Sequence, residues 1–245
     1  MIQANQVILV SGASKGIGKA IALKAGSEGA SVVVNYRTDK SGADDVVSEI
    51  GSYRAIAVQA DMAVPAEVSR LVEAAVARFG KIDVLVANAA AAFTTAFESV
   101  TEADFDAAFG LNVKGPLFLT QAAFPFMANG SRIIFISSDL TDFSALPSQL
   151  FLYIATKAAL NIMVRSLAQA LAKRGIRVNA VLPGPVETES FVQANNEENT
   201  QALTALSPFN RLGRVGEVAD AVSLLWRGES NWISGQVIKV NGAEC

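Results

Sequence analysis

The sequence has no histidine and only one cysteine, Cys245. Without histidine, a Ser-His-Asp hydrolase and a histidine general base are excluded, and so are most catalytic zinc sites. A single cysteine cannot form an intrachain disulfide, and we expect neither a cysteine nucleophile nor a bound metal. Acid/base chemistry in this chain must therefore come from tyrosine, lysine, aspartate, glutamate or water.

Charged residues and long apolar runs are also scarce. Charged residues make up 18% of the 245 positions, and the formal net charge is −3. This balance offers no electrostatic footprint for nucleic acid or for an anionic membrane. No apolar run approaches the ~20 residues of a membrane span, and the first six residues have no basic region or cleavage site. We therefore expect a cytoplasmic protein that binds neither nucleic acid nor membrane.

Apolar residues are abundant, at 51% of the chain, and short β-branched runs alternate with longer helical stretches. The predicted strands are residues 7–10, 31–35, 55–60, 82–86, 132–136, 177–182 and 236–240. The main predicted helices follow the first strand to about residue 28, begin at Pro65, cover residues 102–127 with a kink at Gly115-Pro116, and cover residues 153–174. Continuous apolar strands joined by helices indicate a parallel sheet covered on both faces.

This pattern predicts an α/β fold, a single-domain Rossmann-type three-layer α/β/α sandwich with a seven-stranded parallel sheet. No linker, charge block or repeat divides residues 1–245. Residues 184–215 carry no strand signal and mix polar with aromatic residues. We interpret them as an insertion or lid over a substrate rather than as a second domain.

A glycine-rich turn, Gly12-x-x-x-Gly16-x-Gly18, follows the first predicted strand directly. Glycines allow a tight turn, and they let backbone N–H groups approach a pyrophosphate at a helix N-terminus. A strand-to-helix turn without any ligand is the alternative. Its position after the first strand of a doubly wound sheet favours a dinucleotide site.

The end of the second strand reads Asn35-Tyr36-Arg37 and has no carboxylate for the ribose 2′-OH of NAD. Arg37 instead offers a planar fork to a 2′-phosphate, and Lys15 in the turn adds a second positive charge. Both could equally be ordinary surface cations. The charges favour NADP(H) as the cofactor.

Tyr153 and Lys157 stand four residues apart, on one face of a predicted helix. A free tyrosine has a pKa of about 10, and a neighbouring lysine cation lowers it towards the working range. The spacing alone is weak, because Tyr36 and Lys40 repeat it in a predicted loop. Ser138, at the end of the fifth strand, could polarise a carbonyl that Tyr153 protonates, although strand-end capping would also explain it.

These residues and the ends of the other strands converge on one crevice, because ligands of open α/β sheets bind outside the carboxyl ends of the strands. The sequence resembles the short-chain dehydrogenase/reductases over essentially its whole length. The matching positions are Gly12, Gly16, Ile17, Gly18, Asp61, Asn88, Ala89, Asn112, Ser137, Ser138, Tyr153, Lys157 and the segments 183–188, 211–217 and 234–236.

The resemblance implies a catalytic tetrad. Tyr153 would be the general acid in reduction and the base in oxidation, while Ser138 would hold the substrate oxygen. Lys157 would bind the nicotinamide ribose and tune Tyr153, and Asn112 would anchor a water in a proton relay. The implied cofactor-binding residues are Gly12, Ser14, Lys15, Gly16, Ile17, Gly18, Arg37, Asp61 (at the adenine), Met62, Asn88 (at the ribose), Tyr153, Lys157, Pro183, Gly184, Val186 and Thr188 (at the nicotinamide amide).

Three departures from the family pattern stand out. Ala90 replaces the glycine of the usual Asn-Ala-Gly, which adds a methyl where the backbone usually needs room. Asn241-Gly242-Ala243 replaces the usual Asp-Gly-Gly. The loop between Ser138 and Tyr153 is longer than in many members and resembles that of fungal polyketide and naphthol reductases.

The expected activity is NADPH-dependent, reversible reduction of a ketone to a secondary alcohol. Three alternatives remain: a 3-oxoacyl-carrier-protein reductase, an NAD-dependent alcohol or sugar dehydrogenase, and a non-enzymatic cofactor-sensing protein. Apolar loop residues favour an uncharged, hydrophobic ketone, although they could simply pack the loops together. They are Leu140, Phe143, Leu146, Phe151, Phe191, Leu203, Leu206 and Phe209, and the only cations near them are Arg211 and Arg214.

The resemblance also implies assembly into a homotetramer or homodimer through the long central helices. Alanine-rich stretches around Ala155, Ala158 and Ala159, and around Ala168, Ala170 and Ala172, would permit close helix packing. They could equally face the sheet of the same subunit.

Overall fold

Seven parallel strands form the centre of the molecule in the computed structural model, which describes residues 6–245. The strand order is β3-β2-β1-β4-β5-β6-β9, and β7 and β8 form a separate two-stranded sheet. The strands are β1 Val7–Val10, β2 Ser31–Tyr36, β3 Ala55–Gln59, β4 Val84–Ala87, β5 Arg132–Ile136, β6 Arg177–Pro183, β7 Val186–Glu187, β8 Gly213–Arg214 and β9 Val237–Val240. The predicted seven-stranded parallel sheet is confirmed, with strand ends within two residues of the prediction.

Nine α-helices connect these strands in the described part of the chain. They are α1 Gly16–Ser27, α2 Lys40–Ile50, α3 Pro65–Phe79, α4 Glu102–Phe109, α5 Gly115–Ala123, α6 Phe151–Leu171, α7 Glu189–Ala194, α8 Glu197–Leu206 and α9 Val215–Trp226. These helices cover both faces of the sheet. Ile8 and Val10 point into a core shared with α1, α2 and α9, while Leu9 points into a core shared with α3, α5 and α6. This is the three-layer sandwich that the sequence predicts, because successive side chains of a strand alternate between faces.

The prediction of one long helix over residues 102–127 is wrong, because the segment is not continuous α-helix. It consists of α4, a π-helical turn at Gly110–Lys114, α5 and a 3-10 turn at Phe124–Phe126. The helix is interrupted before the predicted kink. Pro116 has no N–H, so it cannot donate a hydrogen bond to the Asn112 carbonyl four residues earlier. The Gly115 N–H bonds to the Gly110 carbonyl instead, which widens the turn.

The predicted lid segment, residues 184–215, contains more structure than its sequence suggested. Helices α7 and α8 occupy its middle, and β7 pairs with β8 in parallel at its two ends. The prediction that this segment has no strand is therefore wrong. Strands of two residues are too short to show a period in the sequence.

Residues Ser148–Arg174, which include α6, form one helix long and apolar enough to cross a membrane by length and composition alone. Leu160 and Val164 of this helix are buried in the core between α6 and the sheet. It is therefore a core helix of this fold.

Candidate active site

The turn between β1 and α1 exposes backbone rather than side chains. Gly12 and Gly16 have φ values of +62° and +57°, which other residues rarely adopt. A Cβ on Gly18 would lie 2.2 Å from the Gly12 carbonyl oxygen, so only glycine fits there. Lys15, the N-cap of α1, makes no side-chain capping bond to the first N–H groups of the helix. These groups and the helix dipole suit a pyrophosphate.

Two asparagines hold this turn in place. Asn35 Oδ1 accepts a hydrogen bond from the Gly12 N–H at 3.0 Å, and Asn35 Nδ2 donates to the Ala60 carbonyl at 3.0 Å. Asn88 Nδ2 donates to the carbonyls of Ser11 and Gly12, both at 3.0 Å. Asn88 was predicted at the cofactor ribose, and its side-chain amide is engaged with the turn. Asn35 was missed as a site residue, although a polar residue inside an apolar strand run was a signal for it.

The predicted adenine end lies beyond β2 and β3. Asp61 Oδ1 accepts the Ala63 N–H at 2.8 Å, Met62 is buried, and Arg37 is exposed. Asp39, an acid two residues after Arg37, caps α2 by accepting the Gly42 N–H at 3.0 Å. That bond, with further help from Ser14 and Lys15, lowers the pKa of Asp39.

The end of β6 brings the second half of the chain to the turn. Thr188 caps α7 by accepting the Phe191 N–H at 3.1 Å, and its Cγ2 lies 3.6 Å from where a Cβ on Gly16 would stand. Pro183 ends β6, and Val186 begins β7. The predicted nicotinamide residue Thr188 is thus next to the glycine-rich turn.

Tyr153 and Lys157 lie on α6 next to the end of β5. Lys157 Nζ donates to the Ile136 carbonyl at 2.8 Å and lies 5.6 Å from the centroid of the Tyr153 ring. Burial lowers the pKa of Lys157 to about 8. Burial also raises the pKa of the Tyr153 hydroxyl to about 12; a hydrogen bond with Ser138 opposes this shift, and the charge of Asp139 adds to it. The structure thus brings Ser138, Tyr153 and Lys157 together, but burial raises the pKa of Tyr153, whereas its spacing from Lys157 predicts a lowered value.

Asn112 lies in the π-helical turn and binds the loop after β4. Its Oδ1 accepts the Ala91 N–H at 3.1 Å, and its Nδ2 donates to the Ala91 carbonyl at 3.0 Å and to Thr156 Oγ1 at 3.1 Å. Thr156 in turn donates to the Tyr153 carbonyl at 2.6 Å. Asn112 therefore connects the loop after β4 to the helix that carries Tyr153. Thr156 was missed, because no spacing in the sequence points to its partner.

The second tyrosine–lysine pair has no such setting. Tyr36 is buried in the core at the end of β2, and Lys40 forms an ion pair with Asp44 on α2. Of the departures from the family pattern, Ala90 is exposed, and Ala243 has φ +61°, a strained value for alanine.

The apolar loop residues do not all gather at Tyr153. Leu203 and Phe209 line a cavity of about 300 Å³ together with Asn241 and Glu244. Phe151 packs edge-on against Phe97, with ring centroids 6.0 Å apart. Leu146, Leu206 and Phe209 are largely exposed. For these residues, loop packing or exposure describes the structure better than contact with a substrate.

No group of three or more metal-ligating side chains that could hold an ion lies within residues 6–245. Arg211 forms an ion pair with Glu217, with Arg211 Nη2 2.6 Å from Glu217 Oε1. This bond lowers the pKa of Glu217 to about 2. Arg211 is therefore already neutralised by a protein carboxylate.

Known proteins resemble this chain over nearly its whole length. Residues 12–242 match a family model described as enoyl-(acyl carrier protein) reductase. An uncharacterized oxidoreductase of Methylorubrum extorquens is 44% identical over 97% of this chain and 96% of its own. The hydroxynaphthalene reductase-like protein Arp2 of Metarhizium majus is 37% identical over 98% of this chain and 94% of its own.

Solved structures give the same result. A short-chain dehydrogenase from Burkholderia cenocepacia in complex with NADP superposes with a TM-score of 0.93 at 32% identity, covering 99% of this chain and 98% of its own. The angucycline C-6 ketoreductase LanV with bound NADP has a TM-score of 0.92 at 34% identity, with the same coverage. The resemblance drawn from the motifs is thereby confirmed, and this chain is an oxidoreductase of the short-chain dehydrogenase/reductase family.

Proposed function

We propose that this protein reduces a ketone to a secondary alcohol with NADPH, reversibly. The observation that carries the proposal is the arrangement of Ser138, Tyr153 and Lys157 at the end of β5, on the same carboxyl edge of the parallel sheet as the glycine-rich turn after β1. NADPH supplies a hydride to the carbonyl carbon when it is bound. Two of the similar proteins are a hydroxynaphthalene reductase-like protein and an angucycline ketoreductase with bound NADP, which supports both the cofactor and the reaction.

The side chains of this chain would divide the proton chemistry. The Ser138 hydroxyl donates to the substrate oxygen, and the Tyr153 hydroxyl gives that oxygen its proton. The Lys157 ammonium stabilises the phenolate that remains, which matters because burial, partly opposed by the Ser138 hydrogen bond, raises the pKa of Tyr153 to about 12. Both side-chain groups of Asn112 are engaged, so a relay water would bind its main-chain carbonyl, which Pro116 leaves without its usual helical donor.

We propose that NADP(H) binds at the glycine-rich turn. The turn Gly12–Gly18 would hold the pyrophosphate, and Thr188, next to Gly16, would meet the nicotinamide end. Arg37 and Lys15 are exposed cations beside the predicted 2′-phosphate position. We propose Asp61 and Met62 at the adenine, and Pro183, Gly184 and Val186 at the nicotinamide.

The substrate we propose is an uncharged, fairly hydrophobic ketone. A charged 2-oxo acid would need a free cation near Tyr153. Of the two candidate arginines, Arg211 is engaged by Glu217, and Arg214 lies beside the same carboxylate, which accepts its backbone N–H. Leu140 and Phe143, both half-buried, follow Ser138 directly and are the apolar residues best placed to meet such a substrate. Residues 184–215 would then form the lid.

We also propose a cytoplasmic homotetramer or homodimer. Ala155, Ala158 and Ile162 lie on an exposed face of α6, whereas Ala168 is buried against the subunit's own sheet. The first three therefore remain available for helix packing between subunits. Light scattering checks this proposal, and a single monomeric peak would end it.

The test of function is oxidation of NADPH and of NADH at 340 nm with a ketone panel, including a 3-oxoacyl thioester and an enoyl thioester. The wild type and Tyr153→Phe are compared, and cofactor binding is measured by fluorescence. Turnover of hydrophobic ketones with NADPH, lost in Tyr153→Phe while binding persists, supports the proposal. Binding of NADPH by both proteins with no turnover indicates a sensor, and turnover of the thioesters alone indicates a carrier-linked reductase.

A further inference from the structure

The segment that follows β9 reaches back to the loop that carries Ser138. Asn241 Nδ2 donates to Asp139 Oδ2 at 3.1 Å, one residue after Ser138. The Glu244 carboxyl lies against Gly184, where a Cβ would stand 2.7 Å from Glu244 Oε2. This segment therefore contacts both the loop after β5 and the Pro183–Gly184 turn, which flank the site.

Two carboxyl groups meet at this contact. Asp139 is 2% exposed, Glu244 is half-buried, and the two carboxyls are within hydrogen-bonding reach of each other. Glu244 Oε2 is buried and receives no donor from the described residues. Two facing carboxylates repel each other, whereas one proton between them forms a strong O–H···O⁻ hydrogen bond. A single shared proton therefore satisfies the buried oxygen and removes the repulsion.

We propose that Glu244 is a positioning residue for the ketone reduction proposed above: it shares one proton with Asp139 and thereby holds Ser138 and the Pro183–Gly184 turn in their working arrangement. The inference rests on that function for its effect on activity. The shared proton itself rests only on the contact between the two carboxyls.

The surroundings of the pair favour retention of the proton. Burial, and then the charge of Asp139, raise the pKa of Glu244 to about 7, and burial raises the pKa of Asp139. The other titratable or charged groups near the pair are Tyr153 on α6, the Cys245 thiol and two ion pairs. One ion pair joins Lys239 and Asp142, and the other joins Arg211 and Glu217 across the cavity. Among these described groups, no cation is left over to neutralise the second carboxylate.

Loss of the proton has two consequences for the site. The two carboxylates repel each other, so the loop at Asp139 separates from the segment at Glu244. A second negative charge then stands behind Ser138 and Tyr153, where negative charge develops on the substrate oxygen and the phenol during reduction. The turnover rate is therefore expected to fall as the pH rises through about 7.

The test compares the wild type with Glu244→Gln and Asp139→Asn, in which an amide donor replaces the shared proton at every pH. Glu49→Gln, an exposed glutamate on α2, is the matched control. At pH 6.0 all four proteins have kcat values within about twofold. One pH unit above a pKa, about a tenth of the group remains protonated. Between pH 6.0 and pH 8.0 the kcat of the wild type and of the control is therefore expected to fall roughly tenfold more than the kcat of the two amide variants. The KM for NADPH is expected to stay similar in all four proteins. Parallel pH profiles in all four would overturn the positioning role.

A second readout needs no substrate. Between about pH 4.5 and pH 7 the native wild type retains a proton that the unfolded chain has lost, so its free energy of unfolding falls over this window relative to Glu244→Gln and levels off by pH 8. Denaturant unfolding at these pH values measures the difference. A stability difference without turnover of any ketone would reject the proposed function and keep the shared proton. Normal turnover with no stability difference would keep the proposed function and reject the shared proton.

Discussion

Lys157 lies one helical turn from Tyr153 on α6, with its Nζ 5.6 Å from the centroid of the tyrosine ring and 2.8 Å from the Ile136 carbonyl oxygen. The ammonium is buried, so this position costs solvation energy, and its pKa falls to about 8. Tyr153 lies on the same face of the helix, and burial raises the pKa of its hydroxyl to about 12. The role proposed for Lys157 is to stabilise the phenolate of this tyrosine.

Replacement of the buried cation should separate stability from activity. In Lys157→Met, kcat for ketone reduction is expected to fall about 10²–10⁴-fold, the range typical of a lost acid/base contribution. Between pH 8 and 10.5 the unfolded wild type binds a proton that the native state lacks, so wild-type stability rises with pH over this window relative to Lys157→Met. Denaturant unfolding at pH 7, 8.5 and 10 measures this rise. A constant difference across these pH values would mean that the lysine is not strained by burial.

Asn112 should be needed for the fold as well as for the reaction. Asn112→Ala removes three hydrogen bonds and leaves the Ala91 N–H and carbonyl unsatisfied, so a loss of about 2–4 kcal/mol in the free energy of unfolding is expected. Asn199→Ala, an exposed asparagine on α8, is the control and should change stability by less than about 0.5 kcal/mol. Urea unfolding checks both values. Equal stability of the two variants would contradict the connecting role of Asn112.

Gly18 should tolerate no side chain. A Cβ there would lie 2.2 Å from the Gly12 carbonyl oxygen and 2.5 Å from Asn88 Nδ2, so Gly18→Ala must displace the turn and abolish NADPH binding. Gly216→Ala in α9 has no atom within 4 Å of the new methyl and should stabilise the protein by about 0.5–1 kcal/mol. Cofactor fluorescence and thermal unfolding measure both effects. Normal NADPH affinity in Gly18→Ala would place the cofactor elsewhere.

Arg37 should distinguish NADPH from NADH. If it pairs with the 2′-phosphate, Arg37→Glu weakens NADPH binding roughly 30-fold, as expected for about 2 kcal/mol of a charged hydrogen bond, and leaves NADH binding unchanged. Lys173→Glu, an exposed lysine after α6, is the charge-matched control. Isothermal titration with both cofactors gives the four affinities. An equal loss for NADPH and NADH would assign Arg37 a structural role instead.

The local features of the site could be read from the sequence, because they depend on residues close together in the chain. The turn Gly12–Gly18 needs glycine at its own φ values, and the spacing of Tyr153 and Lys157 places both on one face of a helix. The β-branched runs predicted the seven strands, since continuous apolar strands fit only a sheet covered on both faces. The absence of histidine excludes whole classes of catalysis by composition alone.

Only the tertiary structure showed the contacts between distant segments. It showed the contact between Tyr153 and Ser138, whereas the sequence distinguished Tyr153-Lys157 from the equally spaced Tyr36-Lys40 only by its position after the fifth strand. It replaced a predicted continuous helix with the π-helical turn of Asn112, and it placed Asn35 against the glycine-rich turn. The contact between Asp139 and Glu244 has no signal in either local sequence, since burial and the approach of two charges arise only when the folded chain brings them together.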